Sequence, residues 1–222
     1  MSTRLSAQTL DRLPADVRRP QYDRSRVHPG ILHFGPGAFH RVHQAWYADR
    51  LLHTDRRWGI TGVSLHSAGV RDALAPQDGL YSVSVQDEVP AVEIVGSIRE
   101  VLVASENPAA VIERFADPRL HVVTLTVTEK GYCLAADGSL DATHPDVQHD
   151  LSQPDSPASV LGYLVAGLRR RRSLGLAAPA LISCDNVADN GRRLHGALVA
   201  LARMQDASLG RWIEDEVRSP CT

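Results

Sequence analysis

Four short apolar segments, separated by segments of helical composition, constrain the fold of this chain more than any other feature. They span residues 31–35, 61–65, 120–127 and 179–184. Strands that alternate with helices predict a mostly parallel sheet covered by helices on both faces. The third segment, LHVVTLTV, is the most continuous β-branched run in the chain, and we therefore expect it to form a central parallel strand.

One stretch between the apolar segments differs from the helical pattern. Apolar and polar residues alternate on both sides of a turn signal at 88–90, which predicts an antiparallel hairpin over residues 81–104. A turn-rich segment, residues 128–150, follows the central strand. Residues 1–29 are expected to form a lead-in with one short helix near residues 7–13.

The other intervening stretches carry helix signals. Ser67 and Asn107 are the expected N-caps of two of these helices, because short polar side chains there accept from free backbone N–H groups. The predicted helices span residues 38–53, 67–77, 108–116, 157–175, 190–204 and 207–217.

Length and charge narrow the class of protein. The chain has 222 residues, 43% of them apolar, which suffices for one domain with a sizeable core. Its formal net charge of −2 gives no support to a nucleic-acid partner or an anionic membrane. The sequence contains neither an apolar run of the ~18 residues that a membrane span needs nor the apolar core of a secretory signal. We therefore predict a cytoplasmic protein without nucleic-acid or membrane partners.

Cysteine and histidine spacing predicts no metal site. The three cysteines, Cys133, Cys184 and Cys221, are far apart and odd in number, so neither a disulfide framework nor a zinc site is expected. The ten histidines show no ligand spacing. His40 and His43 fall on one helix face, where a structural role or a place beside a pyrophosphate is favoured.

The turn after the first apolar segment carries the strongest local signal for chemistry. Gly35-Pro36-Gly37 joins a predicted strand to a predicted helix, as in the nucleotide-binding turn of a Rossmann unit. Two glycines let the backbone approach a pyrophosphate, and Arg41 offers a bidentate phosphate contact. His40 replaces the third glycine of G-x-G-x-x-G, so an ordinary strand-to-helix turn is the competing interpretation. We favour the nucleotide site, and with it a Rossmann-like, doubly wound α/β fold with an inserted antiparallel hairpin.

The end of the second predicted strand departs from the usual NAD pattern. An Asp or Glu there commonly binds the ribose diol, but this sequence reads Ser64-Leu65-His66-Ser67. Either the ribose is held in another way, or a 2′-phosphate is accepted with help from His66 or Arg71. A solvent-facing loop position also explains His66, so the pattern leaves NADP open as a cofactor.

Polar residues follow the third predicted strand at the sheet edge where ligands of open α/β folds bind. Glu129 and Lys130 come after the strand, and Lys130 is the only lysine among 24 basic residues. Because lysine and arginine differ in shape and pKa, this single lysine suggests a specific role. A solvated Glu–Lys turn is the competing explanation.

A second polar group follows the last predicted strand. The side-chain amide of Asn186 is suited to donate a hydrogen bond to a carbonyl oxygen that gains negative charge. Helix capping by Asp189 or Asn190, with Asp185 and Asn186 as turn formers, is the alternative. Capping explains residue 189 or 190 well but explains the doubled Asp-Asn less readily.

Taken in order, four stretches resemble the N-terminal half of the polyol-specific long-chain dehydrogenases. The resemblance covers about residues 30–217. That family includes mannitol 2-dehydrogenase, mannitol-1-phosphate dehydrogenase and the hexuronate reductases, and the second and third stretches are closest to fructuronate reductase. The four stretches are HFGPGAFHRVHQAWYADRLL, WGITGVSLHSAGVRDALAPQDGLYSV, VTLTVTEKGYC and LISCDNVADNG.

The resemblance implies NAD-dependent hydride transfer between a sugar alcohol or aldonate and its ketose or keturonate. It implies that Asn186 helps to polarise the substrate oxygen, and that Glu129 lines the site and takes part in proton movement. The residues that it assigns to the cofactor are Gly35, Gly37, Ala38, Phe39, His40 and Arg41.

Members of that family are about twice as long as this chain, and their mostly helical C-terminal domain supplies the catalytic lysine, a second asparagine and a histidine. Lys130 does not match that lysine. We therefore expect residues 30–217 to form the NAD-binding domain, 218–222 to be a truncated tail, and the C-terminal helical substrate domain to be absent. A non-catalytic nucleotide-binding fragment is the alternative function, whereas a methyltransferase is disfavoured because the later motifs fit a dehydrogenase.

Overall fold

A five-stranded parallel sheet forms the centre of the protein. The computed structural model describes residues 4–222, with all side chains except those at 129 and 130. In chain order the strands are β1 (Ile31–Phe34), β2 (Ile60–Ser64), β3 (Tyr81–Val85), β4 (Ala91–Val95), β5 (Ile98–Val103), β6 (Val122–Leu125) and β7 (Ala180–Ser183). The parallel sheet has the order β5-β2-β1-β6-β7, and β3 and β4 form a separate antiparallel pair.

Helices cover both faces of this sheet. The helices are α1 (Ala38–Val42), α2 (Gln44–Leu51), α3 (Gly69–Leu74), α4 (Pro108–Arg114), α5 (Pro145–Ser152), α6 (Val160–Ser173), α7 (Asn190–Gln205) and α8 (Ala207–Glu216). The strand order, the covering helices and the added hairpin confirm the predicted Rossmann-like α/β fold. The run at 120–127 is confirmed as an interior strand, since β6 pairs with both β1 and β7.

Strand β1 shows why the fold needs both helical layers. All four of its residues are buried, and alternate side chains point to opposite faces of the sheet. Leu32 and Phe34 join a large apolar cluster with residues of α4, α6 and α7. Ile31 joins a smaller cluster on the other side, where Ala45 and Ala48 of α2 pack. A strand that is buried on both faces therefore requires helices on both faces.

The predicted hairpin is right in its first two strands and wrong in its extent. Strands β3 and β4 pair antiparallel, but residues 98–103 form β5, a parallel edge strand beside β2. The chain turns into the main sheet at Gly96 and Ser97, where the Ser97 hydroxyl donates to the Ala45 carbonyl at 2.6 Å. An edge strand with one half-exposed face alternates apolar and polar residues, as a hairpin strand does. The alternation in the sequence therefore could not distinguish an edge strand from a third hairpin strand.

Three predicted helix boundaries need correction. The helix expected over 38–53 is divided into α1 and α2 at His43, which leaves helical geometry (φ −116°, ψ −92°). Ser67 is not an N-cap, because α3 begins at Gly69 after Ala68, and Ser67 Oγ accepts from the Gly69 N–H instead. The short helix expected near 7–13 is a single 3₁₀ turn over Leu10–Arg12.

The turn-rich segment contains a helix, α5, that the sequence prediction missed. His144 precedes it and accepts from the Asp146 N–H at 3.2 Å, and Pro145 occupies the first helical position. The cap at Asn107 is confirmed, since Asn107 Oδ1 accepts from the Ala110 N–H at 3.0 Å. A proline at the first position of a helix is a usable start signal. Histidine is a rare N-cap, so the residue before this proline did not indicate a helix start.

The lead-in and the last residues both extend sheet edges. Within the lead-in, of which residues 1–3 lie outside the described part, the Arg18 N–H donates to the Val92 carbonyl, and Arg18 accepts from the Ile94 N–H. At the other end, the Leu181 N–H of β7 donates to the Arg218 carbonyl. Both segments therefore satisfy backbone groups that an open edge would leave free.

We predict opposite effects of one substitution at two helical glycines. A Cβ on Gly167 in α6 would lie 2.2 Å from Cδ2 of the fully buried Phe115, whereas a Cβ on Gly196 in α7 would meet no atom within 4 Å. Gly167→Ala should lower the free energy of unfolding by about 1–3 kcal/mol through overpacking. Gly196→Ala should raise it by about 0.5–1 kcal/mol through helix propensity. Urea denaturation of both variants is the measurement, and equal effects would contradict the packing described for α6.

Candidate functional site

The turn between β1 and α1 uses its two glycines in different ways. Gly35 adopts a left-handed conformation (φ +89°), and a Cβ there would lie 2.2 Å from the Thr126 carbonyl oxygen after β6. Gly37 has an ordinary extended conformation (φ −69°, ψ −174°), and a Cβ there would meet only the Gly35 carbonyl, at 3.8 Å. Folding therefore requires glycine at position 35 but not at position 37. Because Gly37 has no side chain, the space in front of the turn is open.

Backbone N–H groups face that open space. The N–H groups of residues 38–40 begin α1 and have no intrahelical acceptor, because the first bond of the helix runs from the Arg41 N–H to the Gly37 carbonyl. Arg41 is turned back onto the loop, with Nη1 donating to the Pro36 carbonyl at 2.8 Å. The Tyr81 hydroxyl donates to the Arg41 carbonyl at 2.6 Å. Arg41 thus braces the turn in this structure.

A buried histidine beneath the turn bonds to the glycine turn and to β6 through both of its ring nitrogens. His33 Nε2 lies 3.1 Å from the Gly35 carbonyl oxygen and 3.0 Å from Thr126 Oγ1. On the other side of the ring, Nδ1 lies 2.7 Å from Thr124 Oγ1, and the Thr124 hydroxyl donates to Gln44 Oε1 at 3.1 Å. Burial lowers the pKa of His33 to about 3, so the ring is neutral.

His40 stacks on His33 and has no hydrogen-bond partner of its own. The two ring centroids are 3.5 Å apart and the planes differ by 10°. His40 is 1% exposed, and neither of its ring nitrogens has a partner among residues 4–222. Burial, with a smaller contribution from His33 and Arg41, lowers its pKa to about 2. A neutral imidazole with both nitrogens free therefore lies directly behind the turn.

A cleft of about 380 Å³ opens beside His40, at the carboxyl ends of β6 and β7. Its exposed wall comes from α1 and α2, where Phe39 is 59% and Tyr47 56% exposed. The remaining lining residues are His40, His43, Gln44, Thr126, Cys184 and Thr222. The cleft is therefore mostly apolar, with hydroxyl and thiol groups at its base.

The two loops that carry the predicted catalytic residues are tied together by Asp185. Its carboxylate accepts from the Val127 and Thr128 N–H groups at 3.2 and 3.1 Å. It also accepts from the Tyr132 hydroxyl at 2.6 Å, and that hydroxyl lies 2.7 Å from Ser183 Oγ. Burial, together with the bond to Asp185, raises the pKa of Tyr132 well above its usual range. Sequence reasoning assigned Asp185 only to a turn and gave Tyr132 no role.

Glu129 lies in the loop after β6, in the 3₁₀ turn Glu129–Tyr132. Its side chain, like that of Lys130, lies outside the described residues. The adjoining Thr128 has a left-handed backbone (φ +69°), which turns the chain sharply at this point. The backbone thus brings position 129 to the same sheet edge as the glycine turn, and its catalytic role stays a prediction.

The two neighbouring asparagines after β7 have different environments. Asn186 is exposed at the bend after β7. Asn190 is buried, and its Nδ2 donates to the Ser183 and Asp185 carbonyls at 3.2 and 3.1 Å. The expected side-chain cap at residue 189 or 190 is not found, because Asp189 has a left-handed backbone and makes no capping bond. Asn190 instead fixes the loop that presents Asn186.

The structure also brings together one group of possible metal ligands that the sequence spacing did not suggest. Ligand atoms of Cys133, His144 and Asp146 lie within 4.8 Å of one another. Nδ1 of His144 already accepts from the Asp146 N–H, and burial raises the pKa of the Cys133 thiol to about 11. His144 and Asp146 thus serve the start of α5, and Cys133 is a buried thiol. Separately, no helix within residues 4–222 is long and apolar enough to cross a bilayer.

Known proteins resemble this chain along nearly its whole length. A family model described as the mannitol dehydrogenase Rossmann domain matches residues 29–222. The D-mannonate oxidoreductase of Escherichia coli is 43% identical over 93% of this chain, and the polyol:NADP oxidoreductase of Gluconobacter oxydans is 36% identical over 97%. The chain covers 44% and 46% of these two proteins, and therefore spans about half the length of the curated relatives it matches.

A solved structure shares the fold closely. The ternary complex of Pseudomonas fluorescens mannitol 2-dehydrogenase with NAD and D-mannitol superposes with a TM-score of 0.93 and 38% sequence identity. The match covers 98% of this chain and 46% of that one. The whole described chain therefore corresponds to one part of a longer protein of known structure.

We predict that the two stacked histidines make the protein sensitive to acid. Both pKa values are depressed in the folded state, so below about pH 6.5 the unfolded chain takes up protons that the folded chain does not. Stability should therefore be full above pH 6.5 and fall toward pH 3, by up to about 1.4 kcal/mol per pH unit for each histidine. Urea denaturation between pH 7.5 and 5 measures this slope.

His40→Phe keeps the ring stack but removes one titrating group. It should reduce the dependence of the free energy of unfolding on pH by up to the contribution of one histidine. His66→Gln, a substitution at an exposed loop histidine, is the control and should leave the slope unchanged. An unaltered slope in His40→Phe would contradict the neutral state assigned to this ring.

Proposed function

The chain belongs to the mannitol dehydrogenase family, and from this we propose that it binds NAD as the cofactor domain of an oxidoreductase. The reaction interconverts a sugar alcohol or aldonate with its ketose or keturonate, as mannitol with fructose or mannonate with fructuronate. The observation that carries this proposal is the open space at Gly37 in front of free backbone N–H groups. That space lies at the carboxyl ends of the paired strands β1 and β6, where the strand order reverses direction, and ligands of open α/β sheets bind at this point.

The residues at this turn fit a dinucleotide. The N–H groups of Ala38, Phe39 and His40 are free to donate to a pyrophosphate, and no side chain at Gly37 obstructs it. An unpartnered buried polar atom costs about 1–3 kcal/mol, and the two free nitrogens of His40 fit a polar group supplied by the cofactor. Gly35 holds the loop against β6, and Arg41 braces it or turns outward to a phosphate. NADP is left open by the same geometry.

The cleft beside His40 is the proposed place of the reacting ends of cofactor and substrate. NAD supplies the hydride acceptor, and its reduced form the donor. Asn186 donates from its side-chain amide to the substrate oxygen and favours the negative charge that develops there. Glu129 accepts or releases the proton of that oxygen. The apolar wall formed by Phe39 and Tyr47 limits access of water to the cleft.

Turnover is proposed to need a helical domain such as the longer relatives carry in their other half. The resemblance places the catalytic lysine, a second asparagine and a histidine in that domain, and the single lysine of this chain, Lys130, does not match it. This chain alone should therefore bind cofactor but oxidise or reduce substrate weakly. A non-catalytic nucleotide-binding module is the second candidate. Rapid turnover of fructuronate or fructose with NADH by the purified chain would exclude this second function.

We predict that Gly37→Val abolishes NAD binding without unfolding the protein. The backbone at residue 37 suits a β-branched residue, and its Cβ would meet only one atom, at 3.8 Å. The added methyl groups would stand in the space proposed for the pyrophosphate, so cofactor affinity should fall by at least about tenfold. Calorimetric titration with NAD⁺ and NADH measures the loss, and thermal unfolding verifies the fold.

Gly196→Val, on the exposed side of α7, is the matched control and should bind NAD as the unaltered chain does. Gly35→Ala should instead lower stability, because its Cβ collides with the Thr126 carbonyl and its φ is positive. Undiminished NAD affinity in Gly37→Val would count against the site as described.

A further inference from the structure

Two loops that are bonded together lie at the other end of the proposed cofactor site. The Ala104 N–H donates to the Ser64 carbonyl at 2.8 Å, and the Ser105 N–H donates to the Leu65 carbonyl at 3.0 Å. These loops follow β2 and β5, on the side of β1 away from β6. We call residues 65–67 and 104–106 the ribose rim, because a dinucleotide on the β1–α1 turn places its adenosine ribose beyond β2.

The first loop of the ribose rim contributes no carboxylate. Its residues after Leu65 are His66 and Ser67, both exposed. The carboxylate at the rim comes from the second loop, where Glu106 follows β5. An acid in this place is not detectable by sequence spacing, because it lies 42 positions after Ser64 and meets the β2 loop only through strand pairing.

Glu106 forms an ion pair with the arginine that would otherwise face the rim. Arg71 of α3 donates from Nη1 to the Glu106 carboxylate and from Nε to Asp72 Oδ1 at 2.9 Å. One guanidinium is thus shared by two carboxylates, and this group of three side chains carries a net charge of −1. Such a charge suits a neutral ribose hydroxyl, which can donate to a carboxylate, and repels a 2′-phosphate.

We propose that Glu106 sets the selectivity for NAD over NADP, by holding Arg71 away from the 2′ position and by keeping the ribose rim negative. This inference rests on the proposed function. An acid after β5 thereby supplies the negative charge against a 2′-phosphate that no acid at the end of β2 supplies in this chain. Removal of the Glu106 charge frees the Arg71 Nη groups, which form the bidentate donor that phosphate recognition uses.

Calorimetric titration of the full chain with NADH and with NADPH tests this proposal. The unaltered chain should bind NADH about tenfold more tightly than NADPH. Glu106→Gln, which keeps the size of the side chain, should raise NADPH affinity by about tenfold and change NADH affinity by less than about twofold. The gain in NADPH affinity should diminish with added salt, because it comes from the attraction between Arg71 and the 2′-phosphate near the protein surface.

Two further variants test whether the gain in NADPH affinity comes from the Glu106–Arg71 pair or from a general change in the charge of the protein. Glu113→Gln removes another exposed carboxylate that pairs with an arginine, Arg170, between α4 and α6, and should leave both affinities unchanged. Arg71→Leu combined with Glu106→Gln should lose the NADPH gain. An unchanged affinity ratio in Glu106→Gln, or a gain that persists without Arg71, would overturn the proposal. Failure of the unaltered chain to bind either nucleotide would instead refute the proposed function, and thermal unfolding of every variant verifies the fold.

Discussion

The close approach of Gly35 to the end of β6 is the contact on which the candidate site depends. A single added carbon at Gly35 would lie 2.2 Å from the Thr126 carbonyl. The Gly35 carbonyl in turn accepts from Thr126 Oγ1 at 2.7 Å and from the Gly37 N–H at 2.6 Å. The turn therefore has one position relative to β6, set by backbone contact and not by flexible side chains. Because α1 follows this turn directly and Thr126 lines the cleft, the same contact positions the α1 wall of the cleft relative to β6.

The fold was predictable because burial imposes its pattern locally. The apolar runs at 31–35, 61–65, 120–127 and 179–184 each overlap a strand of the parallel sheet, and the glycine turn follows the first of these strands. Strand β5 was assigned wrongly because pairing, not composition, decides whether an alternating run joins a hairpin or a sheet edge. Helix α5 was missed because turn residues surround it and its cap is a histidine.

The candidate site was predictable only in part, because its residues meet across long sequence separations. The motif at 35–41 could be read locally, yet nothing in it distinguishes the glycine that the fold requires from the one that leaves space. His33 reads as an ordinary core position, since its partner Thr124 lies 91 residues away. Asn190 reads as a helix cap in the sequence, but it is buried and its Nδ2 donates to the Ser183 and Asp185 carbonyls, whereas Asn186 is exposed. The role of Asp185 in tying two loops together was missed because its partners, Val127, Thr128 and Tyr132, are also distant in the sequence.

Charge is distributed unevenly along the proposed cofactor site, and this separates affinity from selectivity. At the β1–α1 turn the two histidines are neutral, and Arg41 is bonded to a carbonyl, so free backbone N–H groups are the donors presented to a pyrophosphate. Such donors recognise any dinucleotide, because the pyrophosphate is common to NAD and NADP. At the ribose rim Glu106 is charged and is paired with Arg71 of α3, which Asp72 also contacts. Discrimination between cofactors is therefore carried by the end of the site where the two molecules differ, and it can change without disturbing the turn that binds them.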